Sequence, residues 1–178
     1  MLIRDAVVAD MAAVTAIYND AVEHSTAIWN DTTVDVANRV KWLDDRAHAG
    51  YPVIVAVDAA GDVLGYASFG DWRAFDGYRH TVEHSVYVRQ DQRGRGVGKL
   101  LMLELVARAG ALGKHVMIAG IEAGNAGSIG LHKALGFEQV GHLPQVGAKF
   151  GKWLDLVFLQ RVLDARDAPG EHRGPRAG

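Results

Sequence analysis

The spacing of apolar and polar positions changes several times along the chain, and each change marks the boundary of a predicted element. In residues 10–23 and 34–49, apolar residues recur every three or four positions, as in a helix with one buried face. Asp10 is a suitable N-cap for the first helix, and Gly50 ends the second. Two apolar, β-branched runs between residues 53 and 69 flank a short turn, which predicts a hairpin.

Strands and helices alternate in the second half of the chain. A β-branched strand leads through a glycine-rich turn into a mostly apolar helix, and a strand, a helix and two further strands follow. Pro144 and the glycines after it predict a loop before the last strand. The predicted strands are 1–6, 53–57, 63–69, 81–88, 114–121, 137–142 and 153–161, and the predicted helices are 10–23, 34–49, 96–112 and 125–135. The longer predicted loops are 25–33, 70–80 and 144–152.

The domain organisation follows from length and from a change of composition near the C-terminus. A chain of 178 residues can bury one core, and no internal repeat divides it. After Leu163 the sequence contains no large apolar residue. We therefore expect one folded domain over residues 1–163 and a disordered tail over residues 164–178.

Composition excludes several functional classes. The net charge of −2 argues against a general nucleic-acid-binding protein. No apolar run approaches the roughly 20 residues that span a bilayer, so no membrane partner is expected, and the N-terminus lacks the pattern of a signal peptide. The absence of cysteine removes disulfides, cysteine-based zinc sites and thiol nucleophiles. A cytoplasmic protein is the resulting prediction.

The most informative stretch is 86–101, where a β run passes through a glycine-rich basic turn into a helix. Free backbone N–H groups at a helix N-terminus favour a bound anion such as pyrophosphate, although a tight basic turn without a ligand is the alternative. Arg93 stands where a Walker loop needs its first glycine, and the dinucleotide fingerprint fails at its last glycine. The remaining pattern, Arg93-x-x-Gly96-x-Gly98, resembles the acetyl-CoA signature of the GNAT superfamily of N-acetyltransferases.

Further segments resemble one branch of that superfamily, the phosphinothricin acetyltransferases. The loop GDWRAF at 70–75 is similar to the bacterial L-methionine sulfoximine/methionine sulfone acetyltransferases of this branch. The other segments are TVEHSVYV at 81–88, LHKALGF at 131–137 and KFGKWLD at 149–155. Several separated segments in the same order make a chance resemblance improbable.

The resemblance covers residues 1–163 and implies the fold and the ligands. It implies an α/β (α+β) fold with a mixed, mostly antiparallel sheet and helices on both faces. It also implies acetyl-CoA as co-substrate, a small amino-acid substrate, no metal and a homodimer, with the pantetheine arm pairing along the 86–88 strand edge. The residues implied to bind acetyl-CoA are Val86, Tyr87, Val88, Arg93, Gly94, Arg95, Gly96, Val97, Gly98, Lys99 and Asn125.

Glu83 is the candidate general base, a role that the resemblance implies. Strand alternation places it on one face with Thr81, Ser85 and Tyr87, unless a bulge intervenes. A substrate ammonium must lose a proton before it can attack a thioester. The alternative is a structural ion pair with Arg73 or Arg79. The same stretch, HTVEH, matches an inverted zinc-peptidase motif, but that motif needs a helix and this stretch favours a strand.

The loop before this strand carries the implied substrate contacts. By resemblance Arg73 binds the substrate carboxylate, for which a planar guanidinium is suited, whereas the alternative is a solvated loop arginine. Trp72 and Phe75 either form a wall of the side-chain pocket or anchor the loop. The implied substrate-binding residues are Arg73, Ala74, Phe75, Glu83, His84 and Ser85.

The last predicted helix carries two candidates. Asn125 is a suitable N-cap, and by resemblance it also contacts the cofactor. Many GNAT enzymes have a tyrosine on this helix that protonates the leaving thiolate, and His132 takes that position here. His132 could act as this acid or could pack against the cofactor. Alternatively the thiolate, with a free thiol pKa of about 8.5, could leave unprotonated.

The sequence therefore predicts an acetyl-CoA-dependent N-acetyltransferase in which the α-amine of a small L-amino acid analogue attacks the thioester directly. Methionine sulfoximine, methionine sulfone and phosphinothricin share the expected tetrahedral sulfur or phosphorus group. Two alternatives remain at this point. One is acetylation of a peptide or protein amine, and the other is a non-catalytic acyl-CoA-binding regulator.

Overall fold

The computed structural model, which describes residues 1–170, contains the predicted elements in the predicted order. Seven strands and four α-helices account for most of the described chain. They are β1 Leu2–Asp5, α1 Met11–His24, α2 Val36–His48, β2 Val53–Val57, β3 Val63–Asp71, β4 Thr81–Val88, α3 Val97–Ala111, β5 Val116–Glu122, α4 Ala126–Ala134, β6 Glu138–Lys149 and β7 Lys152–Val162.

The strands form one sheet in the order β1-β2-β3-β4-β5-β7-β6. Every neighbouring pair is antiparallel except β4 and β5, which run parallel. The parallel pair is short, because its last paired residues are Glu83 and Ile118. Beyond that point β4 continues beside β3 and β5 continues beside β7, so the two central strands diverge. The predicted mixed, mostly antiparallel sheet is confirmed.

Helices cover both faces of the sheet, as predicted. Strand alternation gives each face its own apolar set, and each set packs against different helices. Helices α1 and α2 cover one face, whereas α3 and α4 cover the other. The first face buries Met11, Val14, Ile17, Val55, Val57 and Tyr66, and the second buries Ile54, Ala67, Phe69, Val82, Leu101, Met102 and Leu105. Within residues 1–170, none of the helices has the length and apolar character needed to cross a membrane.

The loop predicted over residues 144–152 is wrong, because β6 and β7 continue through this segment as a long hairpin. Pro144 sits at a shift of register on β6, which is an edge strand where a missing N–H is tolerated. Gln145 next to it has a φ of 56°, and its N–H donates to Asp155 Oδ1 at 2.8 Å. The hairpin then turns at Phe150 and Gly151, which both have positive φ, as a two-residue type I′ turn requires.

A buried lysine on this hairpin binds the segment that connects α1 and α2. The side chain of Lys149 is only 4% exposed. Its ammonium donates to the backbone carbonyls of Val22 at 2.6 Å, Ser25 at 2.7 Å and Ile28 at 2.5 Å. All three donors of the ammonium are thereby used at the C-terminal end of α1. The connection is consequently held against β6 and not left free in solvent.

The first residues of the predicted tail contact the folded domain. Asp164 Oδ1 lies 2.8 Å from His115 Nδ1, and Arg166 donates to the carbonyl of Gly113 at 2.9 Å. These contacts join the segment to the end of α3 and the start of β5. Residues 164–166 therefore contact the folded domain, the disordered tail over residues 164–178 stays a prediction, and residues 171–178 lie outside the described chain.

Candidate active site

The divergence of β4 and β5 leaves one edge of β4 without a neighbouring strand after Glu83. The N–H of Arg89 donates to Leu64 on the β3 side. Because alternate residues direct their backbone groups to opposite sides, the N–H and C=O of Val86 and the N–H of Val88 face the open edge. An extended ligand can pair there as an added strand would.

The glycine turn lies directly beyond this edge, between β4 and α3. Gly94 and Gly96 have φ of 74° and 83°, and Gly96 is the N-cap residue of α3. No heavy atom lies within 4 Å of the position of a Cβ on either glycine, so the space beside each of them is free for a ligand. Arg93 folds back, and its Nε donates to the carbonyl of Val88 at 3.3 Å. This arrangement suits a pyrophosphate at the start of a 15-residue helix.

Glu83 points to the face of the sheet that α1 and α2 cover. β4 shows no bulge against β3, so the predicted alternation holds: Tyr87 packs against Tyr66 on the Glu83 face, and Val82 packs into the opposite core. Burial raises the pKa of Glu83 above its usual value, and the charge of Arg73 opposes part of that shift. Within residues 1–170 no salt bridge joins Glu83 to Arg73 or Arg79. A raised pKa is the opposite of what a structural ion pair produces.

The loop after β3 brings Trp72 and Arg73 towards the same face. The Trp72 ring meets the ring of Phe158 on β7 edge to face, with centroids 5.2 Å apart. The Arg73 guanidinium lies 4.1 Å from the centroid of Trp72, and its terminal nitrogens remain available for a carboxylate. Trp72 therefore anchors the loop, and its place in the wall of a side-chain pocket stays a prediction. The exposed fraction of Phe75 is 77%, and the substrate contacts of Phe75 and of Ala74 beside it stay predictions.

On the opposite face of β4, His84 and His132 form a buried pair. Their Nε2 atoms are 3.0 Å apart, and His132 Nδ1 is 2.7 Å from the carbonyl of Ser128. Since a carbonyl only accepts, His132 carries its proton on Nδ1 and its Nε2 must accept from His84. Burial lowers the pKa of His84 to about 3 and also lowers that of His132, so both rings are neutral near pH 7. The pair consequently argues against His132 as the acid, because its one proton is bound to Ser128.

The remaining predicted residues have local roles that the structure makes plain. Asn125 is the N-cap of α4, and its side chain accepts from the N–H of Ser128 at 3.0 Å. Ser85 is half-buried on the Glu83 side of β4. The exposed side chains of Arg95 and Lys99 flank the glycine turn, and Val97 is buried beneath it. The cofactor contacts of these residues stay predictions.

The structure adds residues that the sequence pattern did not single out. Gly120 on β5 lies beside the Glu83 carboxylate, and Phe158 and Leu156 on β7 lie next to Gly120. Glu122 at the end of β5 accepts from the hydroxyl of Thr26 at 3.2 Å. No motif marks these positions, because strand pairing between distant segments brings them together. Among residues 1–170, no three His, Asp or Glu side chains converge as metal ligands would.

Comparison with known proteins identifies the family. The model of the Acetyltransferase (GNAT) family matches residues 14–137. The chain belongs to the GNAT acetyltransferase family. As a member of this family, it is an acetyl-CoA-dependent N-acetyltransferase.

Similar proteins of known name match nearly the whole chain. An L-methionine sulfoximine/L-methionine sulfone acetyltransferase of Pseudomonas aeruginosa is 65% identical over 94% of this chain and 98% of its own length. An L-amino acid N-acyltransferase of Escherichia coli is 56% identical over 95% of this chain and 98% of its own. The crystal structure of a phosphinothricin acetyltransferase from Sinorhizobium meliloti with acetyl-CoA has a TM-score of 0.92 at 40% identity, over 97% of this chain and 94% of that one.

Replacing Gly96 tests the glycine turn. Gly96→Val is expected to raise the KM for acetyl-CoA strongly, because a branched side chain at this N-cap blocks the approach of the pyrophosphate. Isothermal titration calorimetry with acetyl-CoA measures the loss directly. Gly61→Val is the matched control: Gly61 also has a positive φ, 91°, and open space around it, but lies in the β2–β3 turn. Equal acetyl-CoA affinity in the two folded variants would place the pyrophosphate elsewhere.

Proposed function

We propose that this GNAT enzyme acetylates the α-amine of small L-amino acid analogues with a tetrahedral sulfur or phosphorus group, of which methionine sulfoximine, methionine sulfone and phosphinothricin are examples. The observation that carries the proposal is the carboxylate of Glu83 at the divergence of β4 and β5, with a raised pKa and without an ion-pair partner among the described residues. The names of the most similar relatives support the same substrate class.

The roles proposed for the residues follow from their positions. Glu83 takes the proton of the substrate ammonium, directly or through water, and its raised pKa brings it closer to that of the amine. Arg73 holds the substrate carboxylate, and Trp72 and Phe158 form an aromatic wall beside it. Bound acetyl-CoA supplies the acetyl group as a thioester, which the open edge of β4 and the glycine turn would hold.

The neutral pair of His84 and His132 bears on whether the departing CoA thiolate is protonated by the enzyme. Neither ring offers a free proton near pH 7, since each N–H of the assigned pair is already bound. A thiol with a pKa of about 8.5 forms a tolerable thiolate at neutral pH. We therefore assign His132 and His84 to the shape and packing of the α4 side of the site, and not to acid catalysis.

Release of free CoA across a panel of amines tests the substrate class. Methionine sulfoximine, methionine sulfone and phosphinothricin are expected to give much higher kcat/KM than proteinogenic amino acids or peptides with a free amino terminus. Preferential turnover of peptides would favour a protein acetyltransferase. Tight acetyl-CoA binding without turnover of any amine would favour an acyl-CoA-binding regulator.

Arg73→Ala tests the carboxylate contact. The variant is expected to raise the KM for the amino acid by one to two orders of magnitude, in line with about 1.5–3 kcal/mol for a charge-assisted hydrogen bond, and to leave acetyl-CoA affinity unchanged. Esterifying the substrate carboxylate should mimic the substitution, and combining both changes should add little. Arg79→Ala, in the same loop, is the control. Fully additive losses would show that Arg73 does not bind the carboxylate.

The proposal includes a homodimer that works in the cytoplasm and detoxifies such analogues. Exposed apolar side chains on the β6–β7 hairpin support self-association: Trp153 is 69% exposed, Phe150 58% and Val146 52%. Light scattering coupled to size-exclusion chromatography measures the molar mass in solution, and a monomer at micromolar concentration would contradict the dimer.

A further inference from the structure

Gly120 is a glycine within a β-strand, where its lack of a side chain is normally a disadvantage. Glycine in a strand interior lowers stability and often marks a close approach by another group. A Cβ at Gly120 would lie 3.1 Å from Glu83 Oε1, and 3.6 Å from both Leu156 Cδ1 and Phe158 Cε1. The Cβ of any other residue at position 120 would therefore crowd the carboxylate of the proposed base.

Gly120 lies where β4 and β5 begin to diverge. Glu83 pairs with Ile118, and Gly120 is two residues further along β5, just beyond the last paired position. The Glu83 side chain thus reaches across the start of the opening between β4 and β5. Gly120 is exposed there, so the carboxylate keeps contact with the space in which an amine must approach.

We propose that Gly120 is a positioning residue for Glu83. A methyl group at 3.1 Å is tighter than ordinary van der Waals contact, so the carboxylate must move away or lose some of its solvation. Less solvation penalises the charged form and raises the pKa of the carboxyl group, so a smaller fraction of it is deprotonated and able to take a proton at pH 7. Movement by a few tenths of an ångström takes it out of line with the amine. A 1 Å misplacement can cost about a hundredfold in rate, so this smaller movement is expected to cost less. The inference rests on Glu83 being the base.

Gly141 provides a matched control for a substitution at Gly120. Gly141 also lies in a strand against the Phe158 ring, and its Cβ would be 3.6 Å from Phe158 Cδ2, but it does not contact Glu83. Gly120→Ala is expected to lower kcat at pH 7 by on the order of tenfold and to move the acid limb of the kcat/KM profile to higher pH. Part of the loss should be recovered at pH 9. Gly141→Ala should retain the kcat and the profile of the unmodified enzyme.

The two substitutions are then repeated in the Glu83→Gln background, with melting temperatures as a check of folding. If Gly120 acts through the carboxylate, Gly120→Ala should change kcat less than about twofold when residue 83 cannot take a proton. Equal losses in both backgrounds, or an unshifted acid limb, would overturn the positioning role alone. Near-normal kcat in Glu83→Gln itself would overturn both the base and the positioning role.

Glu83→Asp keeps the test decisive if Gly120→Ala does not fold. It withdraws the carboxylate from Gly120 by one methylene while the glycine is intact. Loss of kcat with unchanged acetyl-CoA affinity is the expected result. Full kcat would show that the contact with Gly120 is unnecessary and would overturn the inference.

Discussion

Glu83→Gln is expected to lower kcat at pH 7 by about 10²–10⁴-fold, the usual contribution of a positioned base, with little change in the affinity for acetyl-CoA. Glutamine preserves the shape of the side chain and much of its hydrogen bonding but cannot take a proton. An α-amine with a pKa near 8 is mostly protonated at pH 7, so raising the pH should restore part of the rate. Steady-state kinetics from pH 6 to pH 9 measure both effects.

Thermal stability separates this prediction from a structural role. Burial raises the pKa of Glu83, so folding favours the protonated carboxyl, and its contribution to the free energy of unfolding is lost as pH rises through the folded pKa. At pH 7 the charged group is therefore a cost to folding. Glu83→Gln removes that cost, and its melting temperature should be equal or higher.

Exposed Glu138 supplies the control, because Glu138→Gln should change neither rate nor stability. A lower melting temperature together with near-normal kcat in Glu83→Gln would indicate an ion pair and remove Glu83 from the mechanism.

Lys149→Met is expected to be strongly destabilising. The substitution leaves the carbonyls of Val22, Ser25 and Ile28 without their common donor. Unsatisfied buried groups cost about 1–3 kcal/mol each, so the free energy of unfolding should fall by about 3 kcal/mol. For a chain of this size the melting temperature should fall by roughly 6–12 °C. Burial lowers the pKa of Lys149, and relief of that desolvation in the variant offsets part of the loss.

Lys152→Met is the control for this prediction, since Lys152 lies in the same hairpin with an exposed side chain. Denaturant titration and calorimetry of the two variants isolate the three carbonyl contacts from the general effect of removing a charge. Similar melting temperatures for both would mean that Lys149 does not hold the α1–α2 connection.

The sequence predicted the local part of this architecture well. The spacing of apolar residues located every helix and strand, and alternation along β4 correctly placed Glu83 and Tyr87 on one face. His84, predicted among the substrate-binding residues, is instead buried on the opposite face against His132. The error at Pro144 arose because proline and glycine signal a loop in most contexts, whereas an edge strand tolerates them at a bulge. The positions of Gly120 and Phe158 depend on the pairing of β5 with β7, which no local pattern encodes. The same holds for the tautomers of the histidine pair, because Ser128 determines them through a three-dimensional contact.

The Lys149 contacts also bear on the order in which the chain folds. They join residues separated by 127, 124 and 121 positions in the sequence, and the bond from Thr26 to Glu122 closes a separation of 96. Closing such long loops costs more entropy than closing short ones, and contacts of this kind slow folding. The α1–α2 connection therefore reaches its final position only after the β6–β7 hairpin has formed. During synthesis, the ribosome must release nearly the whole chain before this connection can take its final position.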